Sequence, residues 1–169
     1  MDPLRLYDYL TLSRERVFGW ARPLTPGQYT REFPIGPGSL ARVLTHTMIS
    51  EWYYIERLLG REVPPYAQWP IRDETPLAFA DLVSIWTGQA RETRAALAAV
   101  RDWDAPVRYR VTDDHGRLIE VRASAGDLMT QLALHEVHHR AQAMNILRQL
   151  GATVEEIDFN SMMYDRRGV

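Results

Sequence analysis

The sequence predicts an all-α fold, a four-helix bundle that carries a small β-hairpin between its third and fourth helices. Three observations support this prediction. Apolar residues recur at steps of three and four along four long segments, capping residues precede these segments, and proline and glycine are concentrated between them. The length of 169 residues suits one domain, residues 1–169, in which 152–169 form a C-terminal tail with enough apolar residues to pack on a surface.

The first two helices are predicted over residues 3–21 and 40–59. Asp2 is a capping residue placed before a proline that suits the first helical turn. The next segment, 22–38, is rich in proline and glycine, which predicts a loop that cannot sustain a helix. Ser39 then provides the cap of the second helix.

The second half of the chain is predicted to contain two more helices and the hairpin. Residues 60–74 include three prolines, which predicts a long crossing connection. The third helix is predicted over 76–100, and the alternating pattern of 107–122 around a D-D-H-G turn predicts a hairpin. An S-x-x-D capping box at 124–127 then opens a fourth helix over 125–150.

The composition excludes several kinds of chemistry. All 20 basic residues are arginine, so Schiff-base chemistry, pyridoxal phosphate attachment and a Walker A phosphate site are excluded. There is no cysteine, so a metal ion would be held by histidine, a carboxylate or a neutral oxygen. The 22 acidic residues give a net charge of -2, which argues against a nucleic-acid partner.

The sequence also predicts a cytoplasmic location. Met1 is followed by Asp2 and Pro3 without a basic start or an apolar core, so we expect no signal peptide. No apolar run reaches the roughly 18 residues that a membrane span requires, so we expect no membrane association.

Three of the five histidines are candidate metal ligands. At about 100° per residue, His135 and His139 lie within roughly 40° of each other on the apolar stripe of the fourth helix. Two neutral imidazoles there are awkward for a core but well placed to hold one metal ion. A third ligand should come from a facing helix, and His46 in the second helix is the candidate. The alternative is a set of hydrogen-bonded core histidines.

The remaining histidines have other predicted roles. His115 falls in the turn of the hairpin and is expected in solvent, whereas His138 lies on the shoulder of the apolar stripe and is expected beside the site or at the surface. The segment 135–139 also matches the H-E-x-x-H helix of zinc peptidases, with Glu136 as general base. That match lacks the third ligand and neighbouring strand of such enzymes, so peptidase activity is disfavoured.

These features together resemble the DinB/YfiT-like family of metal-binding four-helix bundles. The resemblance covers nearly the whole chain, and it rests on His46, Trp86 with the R-E-T-R segment 91–94, and the two histidines of the fourth helix before L-R-Q-L-G at 147–151. It implies an up-down-down-up bundle, a frequent homodimer, and a divalent metal ion (zinc, nickel or iron) on His46, His135 and His139.

The resemblance further implies an enzyme that activates a small thiol, such as bacillithiol, for transfer to an electrophilic small molecule. The alternatives are a non-catalytic metal-binding protein of a stress response and a metal-dependent hydrolase. Glu136, Gln142 and Tyr53 are candidates for orienting a ligand or reaching the pocket. Arg140 leaves the apolar stripe, which favours a role at a dimer interface.

Overall fold

Four long helices form the main body of the structure, a computed structural model that describes residues 2–113 and 115–167. In chain order the helices are α1 (Pro3–Ala21), α2 (Pro26–Tyr29), α3 (Leu40–Leu58), α4 (Phe79–Ala99), α5 (Ala125–Gln149) and α6 (Phe159–Met163). Strands β1 (Pro106–Thr112) and β2 (Leu118–Ser124) pair between α4 and α5. The predictions of a mostly helical fold and of a small hairpin are confirmed, whereas the up-down-down-up order stays a prediction.

Local capping residues explain where three of the long helices begin. The Asp2 carboxylate accepts from the backbone N–H groups of the first turn of α1, and the Ser39 hydroxyl accepts from Arg42 N at the start of α3. Ser124 and Asp127 form the predicted capping box before α5, with hydrogen bonds of 2.8 and 3.0 Å. These helices therefore start within one residue of the predicted positions.

Two predicted boundaries were wrong. The proline-rich segment after α1 does contain a short helix, α2, because Thr25 and Gln28 form a capping box across Pro26. The helix expected from residue 76 begins only at Phe79, because Thr75 is still in an extended bridge with Arg72. Asp114, part of the predicted hairpin turn, lies outside the described residues.

The packing of the long helices places α1 and α3 each against both α4 and α5. One apolar cluster fills the space around Trp86 and Phe18, and a second surrounds Tyr9 and Leu97. The C-terminal tail covers the second cluster, since the Tyr9 hydroxyl donates to Ile157 O (3.0 Å) and α6 packs on α1. Among the described residues, the helices lack the combination of length and apolar character that a bilayer span needs.

Candidate metal centre

Three histidines meet where α3 packs along α5. His46 comes from α3, and His135 and His139 lie one turn apart on α5. One ring nitrogen of each lies within 4.8 Å of one ring nitrogen of each of the other two. The ring centroids of His46 are 5.1 Å from His135 and 4.5 Å from His139. The structure therefore brings together the three side chains that the sequence singled out.

Two of these rings are held in the neutral form. Burial, together with the neighbouring histidines, lowers the pKa of His135 to about 3. Burial also lowers the pKa of His139, although the hydrogen bond that the ring donates to Gln142 opposes this shift. Since a metal ion binds the unprotonated imidazole nitrogen, rings that stay neutral near pH 7 are ready to act as ligands.

Hydrogen bonds to oxygen atoms fix the orientation of two rings. His46 Nδ1 donates to Asp73 Oδ2 (3.0 Å), and His139 Nδ1 donates to Gln142 Oε1 (2.8 Å). A proton on Nδ1 leaves the Nε2 lone pair of each ring free. A carboxylate or amide oxygen behind a histidine in this way is the usual outer partner of a metal-binding histidine.

The loop between α3 and α4 supplies the carboxylate. Asp73 is held there by the hydroxyl of Tyr66, whose one hydrogen is shared between the Asp73 and Glu74 carboxylates, with Glu74 Oε2 at 2.7 Å. Burial and these two carboxylates raise the pKa of the Tyr66 hydroxyl, so it remains a proton donor. The Tyr66 ring also packs edge-on against Trp69 at 5.0 Å. The loop thus closes one side of the histidine cluster.

A second loop approaches the cluster from the α1 side. Gly36 has φ of 51°, and any Cβ there would clash with the Gln142 side chain. Glycine therefore allows the backbone to lie against the amide that holds His139. On its other side the Gln142 Nε2 donates to His138 Nε2 (3.0 Å). This places the exposed His138 next to the cluster but outside the three-nitrogen group, as the sequence indicated.

The tyrosine nearest the histidines differs from the one predicted. The Tyr54 ring is 6.0 Å from the His135 ring, and its hydroxyl accepts from Gln131 Nε2 (3.2 Å). Tyr53 packs instead against Trp69 and Tyr109, at 5.8 and 6.4 Å. The ring beside His135 is therefore that of Tyr54, and a role for Tyr53 in the pocket stays a prediction.

Glu136 also lies away from the histidines. The residue is 4% exposed, and its carboxylate accepts from Arg14 Nη2 at 2.8 Å. The same guanidinium donates to Glu51 Oε2 at 2.5 Å, so one arginine of α1 bridges carboxylates of α3 and α5. The Glu136 carboxylate is thus bound to Arg14 between the helices and not beside the histidines, where the general base of a zinc peptidase would lie.

Two other predicted roles are settled by burial. Arg140 was expected at an outer interface, but it is 8% exposed and its Nη2 donates to the Tyr9 hydroxyl (2.7 Å) on α1. The interface prediction was wrong, because the long side chain folds back over the Tyr9 ring. His115 is exposed in the hairpin turn, as predicted.

The arrangement of donors is suited to a divalent ion. Zinc–nitrogen bonds are about 2.0–2.1 Å long, so three nitrogens held this close need only small side-chain adjustments to share one ion. Three neutral imidazoles also suit nickel and iron, and they leave coordination positions open for a substrate. The three histidines could therefore form a metal site.

Comparison with known proteins identifies the family and the fold. The sequence model of the DinB family matches residues 1–167. The chain belongs to the DinB family. A DinB-like protein from Bacillus cereus ATCC 10987, known from its crystal structure, has the same fold: the TM-score is 0.60 at 19% identity, over 90% of this chain and 95% of that chain. No curated protein sequence matches this chain.

Sequence reasoning missed Asp73, Arg14 and Glu51. Asp73 carries no local signal, because its position depends on how the loop folds over α3. The two buried charged residues, in contrast, did carry a local sequence signal. Arg14 and Glu51 fall on the apolar stripes of their helices, next to Leu10 and Met48, where a charge needs a partner.

Proposed function

We propose that this DinB-family protein is an enzyme that uses a divalent ion, held by His46, His135 and His139, to activate a small thiol for transfer to an electrophile. The observation that carries the proposal is the convergence of three imidazoles from two helices, with one ring nitrogen of each within 4.8 Å of the others. In His46 and His139 the Nδ1 atom donates a hydrogen bond to a side-chain oxygen, which leaves Nε2 free for a metal ion. This is a donor set that leaves room for a further ligand.

The residues of the chain have separate tasks in this proposal. The bound ion supplies Lewis-acid chemistry, which lowers the pKa of a coordinating thiol below its free value of about 8.5. Asp73 and Gln142 hold the imidazoles of His46 and His139 with Nδ1 protonated. The Tyr54 ring lies beside His135 and would form one wall of the metal site. Since the chain has no cysteine, the sulfur must come from the cosubstrate.

The structure favours this reading over a peptidase-type hydrolase. A hydrolase of the H-E-x-x-H type uses its glutamate as a base beside the metal. Here Glu136 is bound by Arg14 in the bundle interior. A thiol transferase requires no such base near the ion, because a coordinated thiol loses its proton to solvent or buffer.

The proposal is tested by thioether formation. Protein loaded with zinc, nickel or ferrous iron is mixed with bacillithiol or cysteine and 1-chloro-2,4-dinitrobenzene. A carbon–sulfur bond forms, chloride leaves, and the thiol proton goes to the buffer. We expect a metal-dependent rate that His139→Ala reduces to the uncatalysed level and that His115→Ala, the exposed-histidine control, leaves unchanged. If metal-loaded protein accelerates thioether formation with neither thiol, the transferase proposal is wrong and the non-catalytic metal-binding alternative replaces it.

We also propose the homodimer that the family resemblance implies. Leu134 and Val137 are 63% and 41% exposed and lie one turn apart on α5, so they form a small apolar patch that a second copy of the chain could cover. Light scattering on the eluting protein should give twice the 19.5 kDa chain mass, and Leu134→Arg should give the monomer mass. A wild-type monomer at all concentrations contradicts the dimer.

A further inference from the structure

A cleft rich in arginine lies at the C-terminal end of α3. It has a volume of about 680 Å³ and is bounded by the segment that follows α3 and by β1. Four arginines line it: Arg57, Arg61, Arg108 and Arg110. Among the described residues that line it, Glu62 is the single acidic one. The cleft is therefore strongly positive on a protein whose net charge is -2.

Arg57 is the unusual member of this group. It is 7% exposed, and its guanidinium lies over the rings of Tyr53 and Tyr109, with its central carbon 5.0 and 4.6 Å from their centroids. In the described part of the chain no carboxylate lies within 4.0 Å of it, and its buried Nε has no hydrogen-bond acceptor. Among the described residues, Arg57 is thus a buried cation held by two aromatic rings and not by an ion pair.

The surrounding charges do not supply that partner. Arg61 is paired with Glu56 (2.9 Å), and Glu120 is bound by Arg122 (2.6 Å) and lies directly across the strand pair from Arg110. Arg108 and Arg110 lie on the exposed face of β1, two residues apart. Positive charge thus exceeds negative charge around the cleft, and contacts with the Tyr53 and Tyr109 rings hold the Arg57 guanidinium at its wall.

We propose that this cleft is a binding site for a small anion that carries a phosphate or carboxylate group. The planar guanidinium fork of arginine matches the geometry of both groups, and Arg57, Arg108 and Arg110 all line the cleft that would hold the anion. Arg57 lies eleven residues beyond His46 on the same face of α3, which is about 16 Å along the helix. The site is thus separate from the histidine cluster, and the proposal does not depend on metal binding.

The test follows the Nε–Hε resonances of arginine in ¹⁵N-labelled protein by NMR. Sodium phosphate and sodium citrate are titrated separately, with sodium chloride keeping the ionic strength constant. We expect a saturable shift of the Arg57 resonance. The anion with the lower Kd shows whether the cleft prefers a phosphate or a carboxylate group. Arg57→Gln should raise that Kd at least about tenfold, because a hydrogen bond to a charged group contributes about 1.5–3 kcal/mol.

Matched variants separate binding from folding. Arg108→Gln and Arg110→Gln remove exposed side chains, so they should fold normally and each raise the Kd about threefold or more. Arg101→Gln, an exposed arginine outside the cleft, should leave the Kd unchanged, as should His139→Ala. If Arg57→Gln does not fold, the Arg108→Gln/Arg110→Gln double variant decides. The absence of a saturable shift with both anions, equal Kd values in all variants, or loss of binding in His139→Ala overturns the proposal.

Discussion

Asp73 is the side chain through which the loop after α3 acts on the candidate metal centre. It accepts from His46 Nδ1 and from the Tyr66 hydroxyl, so it both orients a ring and anchors the loop. Removing such a partner typically weakens metal affinity by about 10–100-fold. We therefore expect Asp73→Ala to weaken zinc affinity by that factor, measured by competition with a chromophoric chelator.

The control for this variant is Asp165→Ala. Asp165 is 72% exposed and pairs with Arg167 near the C-terminus, far from the histidines in sequence. Its removal should leave the zinc affinity at the wild-type value. An Asp73→Ala affinity equal to that of Asp165→Ala would show that the carboxylate does not support a metal ligand.

The neutral state of His135 predicts how the metal-free protein responds to pH. Burial lowers the pKa of this ring from 6.5 to about 3, so between these values the unfolded chain binds a proton that the folded chain does not. The stabilisation is therefore present above pH 6.5 and is lost as the pH falls towards 3. Urea unfolding at pH 7 and pH 4.5 should show a smaller loss of stability in His135→Gln than in wild type. The exposed-histidine variant His115→Gln should keep the wild-type pH dependence, and an unchanged dependence in His135→Gln contradicts the account.

At the scale of the helices, a buried polar network joins all four long elements. Glu51 of α3 accepts from Arg14 and Tyr7 of α1 and from Trp86 and Thr93 of α4, at distances of 2.5–3.1 Å. Arg14 extends the network to Glu136 of α5. Burial opposes the charge of Arg14, but Glu136 and Glu51 outweigh burial and raise the pKa of its guanidinium. The arginine is thus the shared counter-ion of two buried carboxylates.

Arg14→Met should therefore destabilise the protein strongly. Methionine keeps much of the side-chain volume but leaves two buried carboxylates without a cation, a change that typically costs about 3–5 kcal/mol. The measurement is the free energy of unfolding in urea at pH 7. Arg16→Met, two residues along α1 and exposed, should change it by less than about 0.5 kcal/mol. Equal effects of the two substitutions would contradict the counter-ion role.

The helices were predictable from sequence because their signals are local. Asp2, Ser39 and Ser124 are capping residues directly before an apolar period, and the structure uses all three. The start of α4 was not predictable in the same way, since Ala78 provides no side-chain cap and the bridge at Thr75 depends on loop folding. The short helix α2 had a local signal, the Thr25 and Gln28 capping box, that the surrounding prolines obscured.

At the scale of the whole molecule, the histidines were predictable and their surroundings were not. Helical periodicity alone places His135 and His139 on one apolar face of the helix. Once that face is buried, the polar nitrogens of the two rings need a partner, which His46 of the facing helix can provide. The roles of Asp73 and Gln142 depend on two loops packing over the helices. The basic cleft likewise depends on β1 meeting the end of α3, which brings Arg108 and Arg110 to Arg57.

The central proposal is that His46, His135 and His139 together bind one divalent ion. The most direct measurement is the metal content of untagged protein by elemental mass spectrometry, after incubation with zinc and gel filtration. We expect about one ion per chain in wild type and in His115→Ala, and a loss of most of it in His46→Ala, His135→Ala and His139→Ala. A wild-type protein without metal, or full metal content in all three ligand variants, would contradict the account.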